Sequence, residues 1–202
     1  MSKLTRQLSF QSTHDKWSLE RAQVSTRIAK NARTAYDGIL SGVDLSGAIL
    51  NRVTIAGRVN SFQGTIFNHC HLQNSTLSGS FQGATFDKAK LLNAKLTGGN
   101  SSFQLSSFVN ADLSGATLIG GGASFQGATF QGATLVGARI VCSGASFQAV
   151  NIDSANFQRA DLSAIESESL KSCYFKTPPS YDDKTRFPSQ FDPASEGWML
   201  VP

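Results

Sequence analysis

The chain has 202 residues, 40% apolar and 16% charged, enough for one good core and too few for two full domains. Its formal net charge of +4 is uneven: residues 1–39 hold seven Lys/Arg against three acids, residues 40–164 seven against five, and residues 165–202 four against six. No Lys/Arg cluster has the density of a nucleic-acid arm, no apolar run approaches the roughly 20 residues of a membrane span, and the widely spaced Cys70, Cys142 and Cys173 fit neither a disulfide framework nor a CxxC zinc site.

Residues 1–11 lack the continuous apolar stretch of a secretory signal, so a reducing cytosol is the expected compartment. Residues 14–39 contain no proline and one glycine. There Trp17, Val24, Ile28, Ala32, Ala35 and Ile39 recur at helical spacing, and Ser12 with Asp15 can form a capping box. This predicts one amphipathic helix over about 15–36 in an N-terminal extension, 1–39. Lys16, Arg21, Arg27, Lys30 and Arg33 decorate it. Such a basic face is either the solvated side of a cap or a docking element for an acidic partner or an anionic membrane surface.

From residue 40 to 164 the pattern changes. Large apolar residues recur every five positions: Leu40, Leu45, Leu50, Ile55; then Phe62, Phe67, Leu72, Leu77; then Phe81, Phe86, Leu91, Leu96. The series continues through Phe103, Phe108, Leu113, Leu118 and Phe125, Phe130, Leu135, Ile140 to Phe147, Ile152, Phe157, Leu162. A small residue stands two places before most of them, as Ala111 does before Leu113. A period of five suits neither an α-helix nor a flat amphipathic strand. It suits a chain that turns a corner every five residues, with one large and one small side chain per unit pointing inward. Four units make a square coil, and about six coils stack to roughly 29 Å at the strand spacing.

A longer period supports this. Phe81, Phe103, Phe125 and Phe147 each stand in Ser-Phe-Gln and are spaced by 22 residues, four units and two extra residues. The extra residues follow the fourth unit, around Gly57, Gly98–Gly99, Gly120–Gly122 and Ser143–Gly144, where a widened corner is expected to need unusual backbone angles. Coil two is shorter, because Leu77 to Phe81 is a step of four; it is expected to have a tighter corner or a register defect.

These segments, ADLSG at 111–115 and ATLVG at 133–137 among them, resemble the pentapeptide-repeat family, whose consensus is A(D/N)LXX. The resemblance covers about 125 residues (40–164). It implies an all-β solenoid, a right-handed quadrilateral β-helix, and a non-enzymatic role. The tail, 165–202, holds all five prolines. Its Tyr181-Asp182-Asp183-Lys184-Thr185-Arg186-Phe187-Pro188, then Phe191-Asp192-Pro193 and Gly197, is similar to the C-terminal tails of cyanobacterial and plastid members. That likeness implies an irregular C-terminal cap in which Phe187, Phe191 and Trp198 cover the last coil, and a plastid or thylakoid-associated location as the alternative to cytosol. The usual glycine before Phe-Asp-Pro is Gln190 here, which leaves the turn geometry open.

Chemistry is sparse. His69 and His71 flank Cys70, but one inward thiol and two imidazoles in other directions make poor metal ligands. Asp87 and Asp153 share a wall three coils apart, Ser residues have no nearby base, and Gly120-Gly121-Gly122 lacks the helix and Lys-Ser/Thr of a phosphate loop. No catalytic residue, metal or cofactor is assigned. The surface offers more. Residues on either side of each large one are expected to face outward: on the first wall Ser61/Gln63, Ser80/Gln82, Ser102/Gln104, Ser124/Gln126 and Ser146/Gln148. Such a ladder is either self-bonded amide stacking or a flat docking face, with Gln82, Gln104, Gln126 and Gln148 as its candidate contacts. Ile119 and Val141, one coil apart, form a candidate apolar patch, with Val109 and Val136 on neighbouring walls.

The expected function is a protein-interaction scaffold or an assembly or regulatory factor in a photosynthetic cell, with a protein partner, no nucleic-acid partner and homodimerisation left open. One alternative is DNA mimicry against a topoisomerase, which the resemblance implies for fluoroquinolone-resistance members. Mimicry needs a strongly acidic exterior, and these coils are slightly basic. The other is peripheral membrane attachment through residues 15–36.

Overall fold

The computed structural model describes residues 40–57, 61–100, 102–144 and 146–202. The helix expected over 15–36 lies outside the described residues. Within them the strands are β1 (Thr54–Ala56), β2 (Thr76–Ser78), β3 (Lys95–Asn100), β4 (Thr117–Gly121), β5 (Arg139–Val141), β6 (Ser180–Tyr181) and β7 (Met199–Leu200), with one short helix, α1 (Ser167–Lys171). Strands β1 to β5 pair in parallel and in chain order. They form one wall, the fourth. Two further walls are columns of single parallel bridges. The second runs Asp44, Ile66, Thr85, Ser107, Thr129, Asn151, and the third Ile49, His71, Lys90, Asp112, Thr134, Asn156. The Phe62–Phe147 column backs the first wall. The molecule is a parallel β-solenoid with four walls and about six coils.

The five-residue period follows from the corner. After Phe108 the chain turns through Val109 and Asn110, and the Ala111 N–H bonds back to the Phe108 carbonyl at 3.1 Å. Asn110 has φ 55°, the positive value that a type II turn needs at its third residue. Two turn residues plus an inward small, an outward and an inward large residue make five. Asn74 and Asn93 (φ 58° and 54°) repeat the corner, and asparagine enters the left-handed region more readily than most side chains. Leu105, at φ 56° and 68% exposed, does so against its preference.

Every large repeat residue from Leu40 to Leu162 is buried, and so are the small ones, Ala84, Ala89, Ala94, Ala111 and Ala116 among them. Coil stacking sets the aromatic spacing. Phe62, Phe81, Phe103 and Phe125 lie parallel with centroids 4.8, 5.0 and 4.7 Å apart, and Phe67, Phe86, Phe108 and Phe130 at 4.8, 5.0 and 4.9 Å. Paired rings attract within roughly 4.5–7 Å, so the coil repeat and the ring repeat agree. The ring stacking of the first column breaks where the second column changes to Ile152: the Phe147 ring tilts 55° from Phe125 and turns toward Phe130.

Two expectations are corrected. Ser61, Ser102, Ser124 and Ser146 do not face outward; they are buried. Each follows the extra residues, and the fold turns it under them. Ser102 Oγ donates to the Gly99 carbonyl at 2.8 Å, Ser124 Oγ to the carbonyls of Gly99 (3.0 Å) and Gly121, and Ser146 Oγ to that of Ser143. This changes the role of the glycines. Gly57, Gly98 and Gly120 have no positive φ; a Cβ on any of them would overlap Ser61, Ser102 or Ser124. Space, not backbone angle, excludes side chains at these three, while Gly122 and Gly144 do take the positive φ expected of the widened corner, 32° and 62°. In coil two the short corner is tight and keeps register, since Leu77 still pairs Leu96. Gly79 makes it, at φ 154°, where a Cβ would sit 2.9 Å from the Phe62 ring.

The tail does more than cover the end. Tyr174, Ser180 and Arg186 bridge to Asn151, Asn156 and Asp161, laying a seventh level on three walls. α1 fills the corner beside it with Leu170 and Ser169 buried. Trp198 seals the end against Phe157, Phe187 and Phe191 at 5.2, 5.4 and 5.6 Å. The turn before Phe191 closes by its N–H on the Pro188 carbonyl, 3.1 Å, with Gln190 outside the left-handed region, so glycine is not required.

Urea denaturation should show Phe103→Ala destabilised by about 3–5 kcal/mol, and an unchanged midpoint would refute the core register. Leu105→Asn should instead gain about 0.5–1 kcal/mol by relieving the corner.

Candidate partner-binding surface

The first wall presents a strip of amides. Gln63 Nε2 donates to Gln82 Oε1 at 3.0 Å, Gln82 to Gln104 at 3.2 Å, Gln104 to Gln126 at 3.0 Å and Gln126 to Gln148 at 3.3 Å. Gln82, Gln104 and Gln126 each use one donor and one acceptor along the axis and keep the others for a partner. The corner residues beside the strip are Gly64, Gly83, Leu105, Gly127 and Ala149, and neither they nor the glutamines carry charge. A neighbouring feature is apolar: on the fourth wall Ile119 pairs with Val141 between β4 and β5, and both are half-buried. Thr97 stands below Ile119 in the same column. Val109 and Val136 stand on the second and third walls, away from this pair, so the four do not form one patch. The basic candidates Lys16, Arg21, Arg27, Lys30 and Arg33 lie outside the described residues.

Around the histidines the side chains diverge. Cys70 is buried, its thiol directed to the Leu45 carbonyl. His69 is exposed at a corner, φ 58°, and His71 stands in the outward column of the third wall. Asp87 accepts bonds from Ser107 Oγ and the Val109 N–H. Burial pushes the Cys142 thiol up to about 12 and also raises that of Cys173, so both stay protonated and poorly nucleophilic near neutrality.

The tail is held by carboxylates, which the sequence did not indicate. Asp153 accepts the N–H groups of Thr177 and Lys176, and these bonds hold its carboxyl below the ordinary range. Burial works to raise Asp182. Bonds from the Arg159 N–H, Thr185 Oγ1 and the Lys184 N–H, with the Arg159 guanidinium at 3.7 Å, outweigh it and lower the group. Asp161 follows the same balance: burial raises it, while Ser163, Arg186 and Arg139 together bring it down.

Residues 106–141 and 123–163 match the model of a family described as pentapeptide repeats, in eight copies. No curated protein sequence matches the chain. Among solved structures, a trypsin-treated variant of QnrB1, a plasmid-mediated fluoroquinolone resistance protein, is 15% identical over 78% of this chain and 74% of its own, with a TM-score of 0.37. The pentapeptide repeat protein Rfr23 from the cyanobacterium Cyanothece 51142 is 15% identical over 80% of this chain and 98% of its own, TM-score 0.22. A pentapeptide repeat protein from the Arabidopsis thaliana thylakoid lumen is 22% identical over 70% and 78%, TM-score 0.19.

Lowered carboxylates stabilise the docked tail above the unfolded carboxylate pKa, about 3.9, and this is lost as pH falls through their folded values. In a Trp17→Phe background, Trp198 fluorescence should therefore report release of the tail below about pH 4. Asp153→Asn should move that transition to higher pH; an unmoved transition would show that the carboxylate does not hold the tail.

Proposed function

We propose, from the premise that this chain is a pentapeptide-repeat protein, that it is a non-enzymatic protein-binding scaffold that acts through its walls. The observation that carries the reading is the first wall. It is an uncharged strip of hydrogen-bonded amides on a backbone fixed by coil-to-coil bonds at every level. A surface already held in one conformation loses little entropy on binding, so modest contacts give useful affinity. The half-buried Ile119–Val141 pair supplies the apolar contact that such an interface needs at its centre.

The described surface disfavours DNA mimicry. A mimic needs columns of carboxylates at phosphate-like spacing, whereas the column after the second wall runs Asn68, Asp87, Val109, Gln131 and Asp153. We place the protein in a cyanobacterial or plastid setting on the strength of the tail resemblance. No helix among the described residues is long and apolar enough to cross a membrane; membrane contact through residues 15–36 stays an alternative.

The test is capture of partners from a cyanobacterial lysate by three proteins: the full chain, a Gln104→Lys/Val141→Asp variant, and a chain lacking residues 1–38. The scaffold reading expects a partner held by the full chain and lost by the surface variant, with unchanged urea midpoints. A partner lost only on truncation would shift the docking role to Lys16, Arg21, Arg27, Lys30 and Arg33. No stoichiometric partner for the full chain would sink the scaffold reading.

A further inference from the structure

We propose that the N-terminal half of the third wall docks an extended segment of a partner protein, with carboxylates at alternate positions followed by an apolar residue. This rests on the scaffold reading and names the chemistry of one partner. Ile49, His71 and Lys90 are successive members of the third-wall bridge column, so they stack outward at the coil spacing of about 4.8 Å. His69 and Lys88 stand at the corner beside them, both with positive φ (58° and 57°). The inward Cys70 and Ala89 separate each from His71 and Lys90. Four basic side chains therefore form a two-by-two array across two coils. Among the described residues none of the four takes part in an ion pair.

The neighbouring carboxylates are half-buried and engaged by hydrogen bonds along the surface. Asp87 is bonded by Ser107 and Val109, and Asp112 by the Ser114 N–H at 3.1 Å and Oγ at 2.6 Å. Asp112 stands directly above Lys90 and ends the basic region. Two large apolar residues frame it: Ile49, 66% exposed, below His71, and Leu92, 41% exposed, two residues beyond Lys90.

This composition selects the occupant. A nucleic acid would need a longer run of cations than two coils provide, and a polyanion leaves Ile49 and Leu92 uncovered. An extended peptide presents every second side chain on one side, roughly 6.6–6.8 Å apart. Lys88, Lys90 and Leu92 follow the same two-residue step, so a peptide ordered carboxylate, any, carboxylate, any, apolar matches them in one register. A folded second copy does not supply it. Glu166, Glu168 and Leu170 have that order, but they lie at α1 with Leu170 buried.

The experiment is fluorescence anisotropy with the full chain and a fluorescein-labelled peptide, Thr-Glu-Thr-Glu-Thr-Leu-Thr, alongside its Gln-for-Glu counterpart and a duplex DNA of equal label. The expected result is binding at least tenfold tighter than for the Gln peptide, weakened by salt. Lys88→Glu/Lys90→Glu should lose at least tenfold, and Leu92→Ser severalfold, with unchanged urea midpoints. Equal affinity for the two peptides, tighter binding of the DNA, or indifference to Lys88→Glu/Lys90→Glu would each overturn the proposal. If the peptide does not bind while the full chain still captures a lysate partner through the first wall, this inference alone falls; failure of all capture removes the scaffold reading beneath it.

Discussion

Coil-to-coil hydrogen bonding is the constraint from which the rest follows. It holds equivalent positions of successive coils about 4.8 Å apart on every wall, so each side chain has its own counterpart as nearest neighbour. A position therefore accepts only residues that tolerate a copy of themselves directly above. Phenylalanine does, because parallel rings at 4.7–5.0 Å are in contact. Glutamine does, because its amide donates upward and accepts from below. Unpaired charge does not, and charged positions interrupt their columns: Asp161 sits between Arg139 and Arg186 at 3.6 Å from each.

That rule explains what was legible in the sequence. A residue that must match its counterpart leaves a fixed period, and the period of five with its longer interval of 22 places the core columns through six coils. Departures were read less well. Ser61, Ser102, Ser124 and Ser146 occupy a position that faces outward on the other walls. The inserted residues before them turn them inward, and Ser80, which follows the short corner, is only half-buried; a count of five cannot see that. Of the adjacent glycines, Gly122 and Gly144 hold the positive φ expected of a widened corner, whereas Gly98 is there because Ser102 occupies the space of a side chain. The period gives direction within a unit; it does not show what an insertion does to the unit that follows.

The tail shows the opposite limit. Its bridges at Tyr174, Ser180 and Arg186 continue the walls, yet no five-residue pattern marks them. Successive bridges lie progressively farther along the chain than a regular coil would place them. Specific polar contacts replace repetition there: Asp153 on Lys176 and Thr177, Asp182 on Arg159 and Thr185. The aromatic cap of Phe187, Phe191 and Trp198 is legible only through the tail's resemblance to family members. The carboxylate clamps are not legible, because an aspartate that accepts backbone N–H groups has the same letter as one facing water.

The same self-matching makes function harder to read than fold. The amide strip is satisfied by its own stacking, so its regularity alone is no argument for a partner; what qualifies it is the neutral, preorganised wall around it. Surface residues that gain nothing from their counterparts are more informative. Ile49, His71 and Lys90 succeed one another in one column without a shared chemistry, and Leu92 stands exposed at a level where the same column position holds Gln73 below and Ser114 above. Neither stacking nor core packing accounts for these choices. In a solenoid whose repeat explains most positions, residues that depart from it on a rigid wall are where selection for something outside the chain is most economically sought.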